Sequence, residues 1–257
     1  MWREITVNYS GIESVDFDSL LNGKIPAIVV RNFYGQKQCE GIVEKIGNSQ
    51  KSIFQKKLQH IGPFLMSYTT KKKDYFDNAK QARKTFEDIF SENNQPIVKI
   101  SKIISRILPG YSTSLARESG NDFSPYVIRI HGNGKAIPIH KDNVKYEGKE
   151  YDFTGIDNQL SCIVHLQEPQ SGGEIVIYDK QWSRNDEKLR NIDFGYSQDV
   201  VSRAEFCKIS NLSAGDLVMI NPNYYHKVTQ IEGNVSRITL GMFLGLYKKE
   251  QKIVAWA

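Results

Sequence analysis

Apolar residues recur along this chain with two different periods, and the point where one gives way to the other divides it. Residues 75–90 carry Phe76, Ala79, Ala82, Phe86, Ile89 and Phe90 at helical spacing, and the polar run Ser-Glu-Asn-Asn-Gln-Pro at 91–96 stops that pattern. A second helix is predicted over 97–108 from Val98, Ile100, Ile103, Ile104 and Ile107, and an earlier one from about Gln36 with Cys39, Ile42, Val43 and Ile46 on one face. The β-branched run Ile-Pro-Ala-Ile-Val-Val at 25–30 reads as a strand, so the segment up to Pro109-Gly110 is expected to be mainly helical with one strand.

Beyond that point the apolar runs become short and β-rich, at 126–131, 160–166, 174–178, 216–220 and 237–244. Gly-Asn-Gly, Ser-Gly-Gly, Ala-Gly and Glu-Gly-Asn turns separate them. Many short strands with such punctuation indicate a sandwich or barrel. Residues 181–208 are polar and weakly periodic, which suggests a long insertion or a lid between strands. No repeat and no flexible linker divides the chain, so helices and β-core are expected to form one unit.

Composition narrows the picture by exclusion. With 40% hydrophobic and 25% charged residues over 257 positions, the chain can bury a core. No apolar h-region follows the first residues and no window approaches a membrane span, so a cytoplasmic protein with no membrane partner is expected. Cys39, Cys162 and Cys207 lack C-x-x-C spacing and read as reduced thiols. A net charge of +5, densest at Lys71-Lys72-Lys73, is modest and reads as a solvated loop rather than a nucleic-acid surface.

The candidate chemistry lies in the histidines. His140 and Asp142 stand at i and i+2, so on a strand both side chains reach the same face and can meet one ion. Two histidines and one carboxylate on one face of an octahedron leave room for a chelating cosubstrate and O2 on iron. His226, which follows the 216–220 strand across Asn-Pro-Asn-Tyr-Tyr, completes the set. His60 and His165 have no ligand-type neighbour two residues away and read as structural.

Four segments in order, 128–142 with His-x-Asp, Ser-Gly-Gly-Glu-Ile-Val-Ile at 171–177, 212–226 ending in His226, and 236–244, give the chain its family likeness. It resembles the 2-oxoglutarate/Fe(II) oxygenase superfamily, in the prolyl-hydroxylase-like branch. The resemblance is close over about 109–246 and looser over the N-terminal strand and helix. It implies a mainly β protein with N-terminal helices, a double-stranded β-helix (jelly-roll, cupin-like). Residues 1–257 are then a single oxygenase domain, with 1–108 as helical support and 109–257 as the core.

The resemblance also implies Fe(II) on His140, Asp142 and His226, with 2-oxoglutarate and O2 as cosubstrates. Arg237, eleven residues after His226, stands where the family places the base that grips the distal carboxylate, and Thr239 shares its strand face. Position 131, often tyrosine in these relatives and a cosubstrate contact, is His131, which faces either cosubstrate or substrate. Glu118, Arg129, Asn143 and Trp182 fall near the expected cavity as candidate substrate contacts, Trp182 also as packing.

The short format also resembles bacterial enzymes that hydroxylate or chlorinate free amino acids and other metabolites. In the chlorinating members, glycine or alanine replaces the carboxylate of His-x-Asp. Asp142 is present, so hydroxylation of an unactivated C–H with release of succinate and CO2 is the expected reaction, in a monomer or homodimer. Nucleic-acid dealkylases carry a second arginine six residues after the first, where this chain has Phe243. A peptidyl (prolyl-type) hydroxylase and a non-catalytic cupin-like metal- or ligand-binding module are the alternatives.

Overall fold

The structure is a computed structural model and describes residues 2–53, 60–153, 155–192 and 194–257. The N-terminal part contains β1 (Ile5–Asn8), α1 (Phe17–Leu21), β2 (Ala27–Arg31), α2 (Gln36–Ile53), β3 (His60–Ile61), α3 (Lys72–Ile89) and α4 (Pro96–Ile107). Next come β4 (Ser112–Leu115), β5 (Arg117–Glu118), β6 (Asn121–Asp122), β7 (Val127–His131), β8 (Ile137–His140) and α5 (Val144–Glu147). The rest is β9 (Asn158–Gln167), β10 (Ile175–Gln181), β11 (Phe206–Ile209), β12 (Leu217–Ile220), β13 (Tyr224–Val228), β14 (Arg237–Tyr247) and β15 (Lys252–Trp256).

Nine strands form a mixed sheet in the order β1-β2-β12-β9-β14-β15-β4, with β7 on the first half of β14 and β3 beyond it. A second sheet has the order β11-β10-β13-β8, and β5 and β6 make a small hairpin. β14 is eleven residues long because it serves two neighbours on one edge: β7 along Arg237 to Gly241, then β15 along Phe243 to Tyr247.

Alternation along β9 sorts the layers. Leu160, Cys162, Val164 and Leu166 join the core under the helices, which includes Ile46 of α2, Phe86 of α3 and Ile100, Ile103 and Ile104 of α4. Ile163 turns the other way, into a cluster where Val29, Val218 and Ile220 meet Ile175, Ile177 and Ile209 of the smaller sheet. Burial of that apolar layer, at roughly 25 cal/mol per Å2, drives the two sheets together. At His226 of the smaller sheet and at His165, Arg237 and Thr239 of the larger, buried polar side chains replace it.

The predicted helices and strands form, with three differences. β1, β2 and β3 come from the first hundred residues yet hydrogen-bond into the larger sheet. The 181–208 interval holds two 3-10 helices, Arg184–Leu189 and Gln198–Val201, and its last residues enter β11, which pairs with β10. β4, β5, β6, β13 and β15 escaped the sequence reading, so His226, expected after a strand, lies within one; β4 is Ser-Thr-Ser-Leu with an exposed-intermediate alternation, a parallel edge strand without an apolar run.

Candidate active site

His140 ends β8 and His226 sits in the middle of β13, and the two are directly paired across the strands with ring centroids 4.1 Å apart. Asp142 lies two residues past the end of β8; its backbone N–H donates to Pro222 O at 2.9 Å, which ties it to the turn before β13. The three side chains offer ligand atoms all within 4.8 Å of one another. Asp142 Oδ2 is 3.5 Å from His226 Nε2.

Each ring is held the same way. His140 Nδ1 lies 2.8 Å from Pro138 O and His226 Nδ1 lies 2.9 Å from Tyr224 O, in both cases the carbonyl two residues earlier. An N–H at Nδ1 donating to that carbonyl leaves Nε2 as a bare lone pair turned to the centre, as a metal ligand requires. Burial, reinforced by the His226 charge, lowers His140 to about 4. Burial alone would raise Asp142, but the His226 hydrogen bond and the His140, His226 and Arg129 charges bring it down to about 2. Neutral imidazole and ionised carboxylate are the protonation states that bind a divalent cation.

Between the two ligands, Lys141 turns to the opposite face of the sheet. Its ammonium is fully covered, 2.6 Å from Glu147 Oε1, and lies over the rings of Tyr146 and Trp182 at 4.8 and 4.4 Å. Trp182 donates from Nε1 to Glu187 Oε1, and Arg190 joins Glu147 to Glu187. This network backs the His-Lys-Asp segment from outside.

The larger sheet supplies the facing wall. Arg237 begins β14, is 2% exposed, and pairs in register with His131 on β7. Its Nη1 donates to Thr239 Oγ1 at 3.5 Å, and its Nε has no hydrogen-bond partner. Burial pulls Arg237 down to about 10 against the opposing pull of Glu168, and burial with the Arg237 and Arg129 charges lowers His131 to about 4. Gly173 of the Ser-Gly-Gly-Glu segment makes room here: at φ +75°, a Cβ would lie 2.9 Å from Arg237 Cδ.

The remaining candidates divide. Arg129 pairs with Thr239, and burial lowers its pKa against the opposing pull of Asp142. Glu118 on β5 is engaged by Lys72 and accepts from the Asp152 amide at 3.4 Å. Asn143 caps α5, its Oδ1 accepting from Tyr146 N. Trp182 belongs to the Lys141 cage. Position relative to motifs located these residues but not their rotamers, and it gave no role to Lys141.

Two packed β-sheets, a histidine–carboxylate–histidine cluster and a buried arginine opposite it are the attributes of a 2-oxoglutarate/Fe(II) oxygenase. The family is narrower: residues 2–257 match that of the carrier-protein-independent halogenase WelO5, and the chain belongs to it. The L-gamma-glutamyl-L-propargylglycine hydroxylase of Streptantibioticus cattleyicolor is 28% identical over 131 residues, 51% of this chain and 47% of that protein, so the match spans about half its length.

Among solved structures, the N-substituted L-amino acid dioxygenase of Burkholderia ambifaria AMMD in complex with alpha-ketoglutarate superposes with a TM-score of 0.64 at 15% identity. That match covers 97% of this chain and 91% of that one. The non-heme alpha-ketoglutarate-dependent carbocyclase SnoK from nogalamycin biosynthesis gives 0.54 at 10% identity, over 91% and 85%. These two share the fold.

The residues present fit the groups such enzymes use. Two imidazoles with free Nε2 and an ionised carboxylate suit Fe(II), and a buried guanidinium with an unpartnered Nε suits a carboxylate.

Proposed function

We propose that the protein is an Fe(II)/2-oxoglutarate-dependent dioxygenase that hydroxylates an unactivated C–H of a small molecule, a free amino acid or a related metabolite, releasing succinate and CO2. Asp142 carries the choice of reaction. The family is named for a halogenase, and the resemblance implies glycine or alanine at this position in chlorinating members. A carboxylate 3.5 Å from His226 Nε2 occupies the place where halide would enter.

In this reading His140, Asp142 and His226 hold the iron, and Arg237 with Thr239 and His131 receives 2-oxoglutarate. When bound, the iron with its cosubstrates supplies the oxidation of C–H to C–OH. The protein's own residues orient and shield. Arg237 and Thr239 fix one end of the cosubstrate, which limits the poses its other end can adopt. The apolar layer between the sheets keeps water from the closed side. Arg129 offers a guanidinium to an anionic group of the substrate, while Glu118, Asn143 and Trp182, engaged by Lys72, α5 and Lys141, act on that side through the segments they hold.

The relatives named as an L-gamma-glutamyl-L-propargylglycine hydroxylase and an N-substituted L-amino acid dioxygenase support a substrate built on an amino acid. The two sheets are then a double-stranded β-helix, and residues 1–257 act as one oxygenase domain. Two measurements test the reading. Anaerobic titration with Fe(II) and 2-oxoglutarate should develop the visible chelate band, and a protein that shows none is not an oxygenase. A succinate-release screen over amino acids, nucleosides and short peptides should give a mass gain of one oxygen on an amino acid.

A further inference from the structure

His165 is fully buried on β9, 0% exposed, with Nδ1 2.5 Å from Glu168 Oε1. Its Nε2 has no hydrogen-bond partner. A structural histidine at a sheet interior satisfies both nitrogens, because a buried polar atom without a partner forfeits its hydration. The register locates this one. His165 pairs with Thr239 on one side of β14, and Thr239 pairs with Arg129 on the other.

Directly paired residues project to the same face, so His165, Thr239 and Arg129 form one row. Arg237, two residues before Thr239, shares that face. The β9–β14 register shifts between Ile238 and Thr239, a bulge that re-aims side chains at this point. Two buried polar atoms without partners, Arg237 Nε and His165 Nε2, thus belong to one face of the larger sheet, with Thr239 between their residues in the register.

The 2.5 Å approach places a proton between Nδ1 and Glu168 Oε1, so Nε2 is the ring nitrogen left to meet a ligand. We infer that His165, held by Glu168, donates its Nε2–H to the distal carboxylate of 2-oxoglutarate beside Arg237 and Thr239, and so favours a dicarboxylic 2-oxo acid over a monocarboxylic one. The inference rests on the oxygenase reading above.

The test compares 2-oxoglutarate with 2-oxopentanoate, in which a methyl group replaces the distal carboxylate, by anaerobic binding to the Fe(II)-loaded full chain. His165→Phe should weaken 2-oxoglutarate about ten- to a hundredfold while leaving 2-oxopentanoate within about twofold. Glu168→Gln, on a partly exposed side chain, should move the same ratio by about three- to tenfold and carries the test if the phenylalanine variant does not fold. His165→Gln, which keeps an N–H donor, should recover most of the loss. Equal weakening of both acids, or no change in either, overturns the inference. Wild-type protein that binds no 2-oxoglutarate overturns the oxygenase reading itself.

Discussion

Arg129 and Gly241 occupy complementary space across the β7–β14 pair: a Cβ on Gly241 would come closer than 3.0 Å to Arg129 Nη1. The clash would fall on the end of a flexible side chain rather than on backbone. Gly241→Ala should therefore fold with a stability change within about 1 kcal/mol but push the guanidinium aside. The expected result is a KM for the organic substrate raised about tenfold with the KM for 2-oxoglutarate unchanged, read by steady-state succinate release. An unaltered substrate KM would remove Arg129 from substrate binding.

Arg237 should show opposite effects on stability and binding. It is buried with one hydroxyl at 3.5 Å and an unpartnered Nε, so the cosubstrate-free protein bears an under-compensated charge. Arg237→Met should raise the melting temperature of the cosubstrate-free protein, by about 1 kcal/mol of stability, and weaken 2-oxoglutarate about a hundredfold or more. Thermal melts with and without 2-oxoglutarate check both halves; a variant that is less stable in both conditions contradicts the role.

Loss of the carboxylate at 142 removes one ligand of three. Asp142→Ala should reduce succinate formation at least about a hundredfold and lower iron content after dialysis. Asp142→Gly with added chloride asks whether halogenation is latent, and the expected outcome is loss of activity with little chlorinated product. Full hydroxylation by the alanine variant would show the ligand set to be wrong.

Acid should destabilise the metal-free protein within a defined window. His131 and His140 are held at about 4 in the folded chain, against about 6.5 for a free histidine. Between those values the unfolded chain binds more protons, so stability is full above pH ~6.5 and falls as pH drops toward ~4. Asp142, lowered to about 2, adds its loss only below the free carboxylate range. Melting temperatures across pH 4 to 7 test this, and replacement of His131 by Gln should flatten the slope.

The metal cluster was legible because it depends on spacing: His-x-Asp read on a strand and a histidine a short turn after the 216–220 strand are visible in any register. The structure altered the detail, since β8 stops at His140 and the Pro222 carbonyl, rather than strand alternation, holds Asp142 in place. Arg237 and Thr239 were legible as an i, i+2 pair. Glu118 and Asn143 were located by neighbourhood alone, and nothing in the sequence announces that Lys72 claims one and a helix end the other. His165 was read as structural because its significance lies across a strand pair, in Thr239. The glycines beside Arg129 and Arg237 carry no side chain whose type could point to a role.

The two walls of the pocket answer to different strands. His140, Asp142 and His226 descend from the smaller sheet, while Arg129, His131, Arg237 and Thr239 stand on the larger one. Their separation is set by Ile163, Ile177 and Val218, residues of the apolar layer outside the proposed ligand set. A methylene gained or lost there shifts one wall against the other, since close-packed interiors transmit such changes. Selectivity in this protein can therefore drift through substitutions that never enter its pocket, as a vice is retuned by its spacer rather than by its jaws.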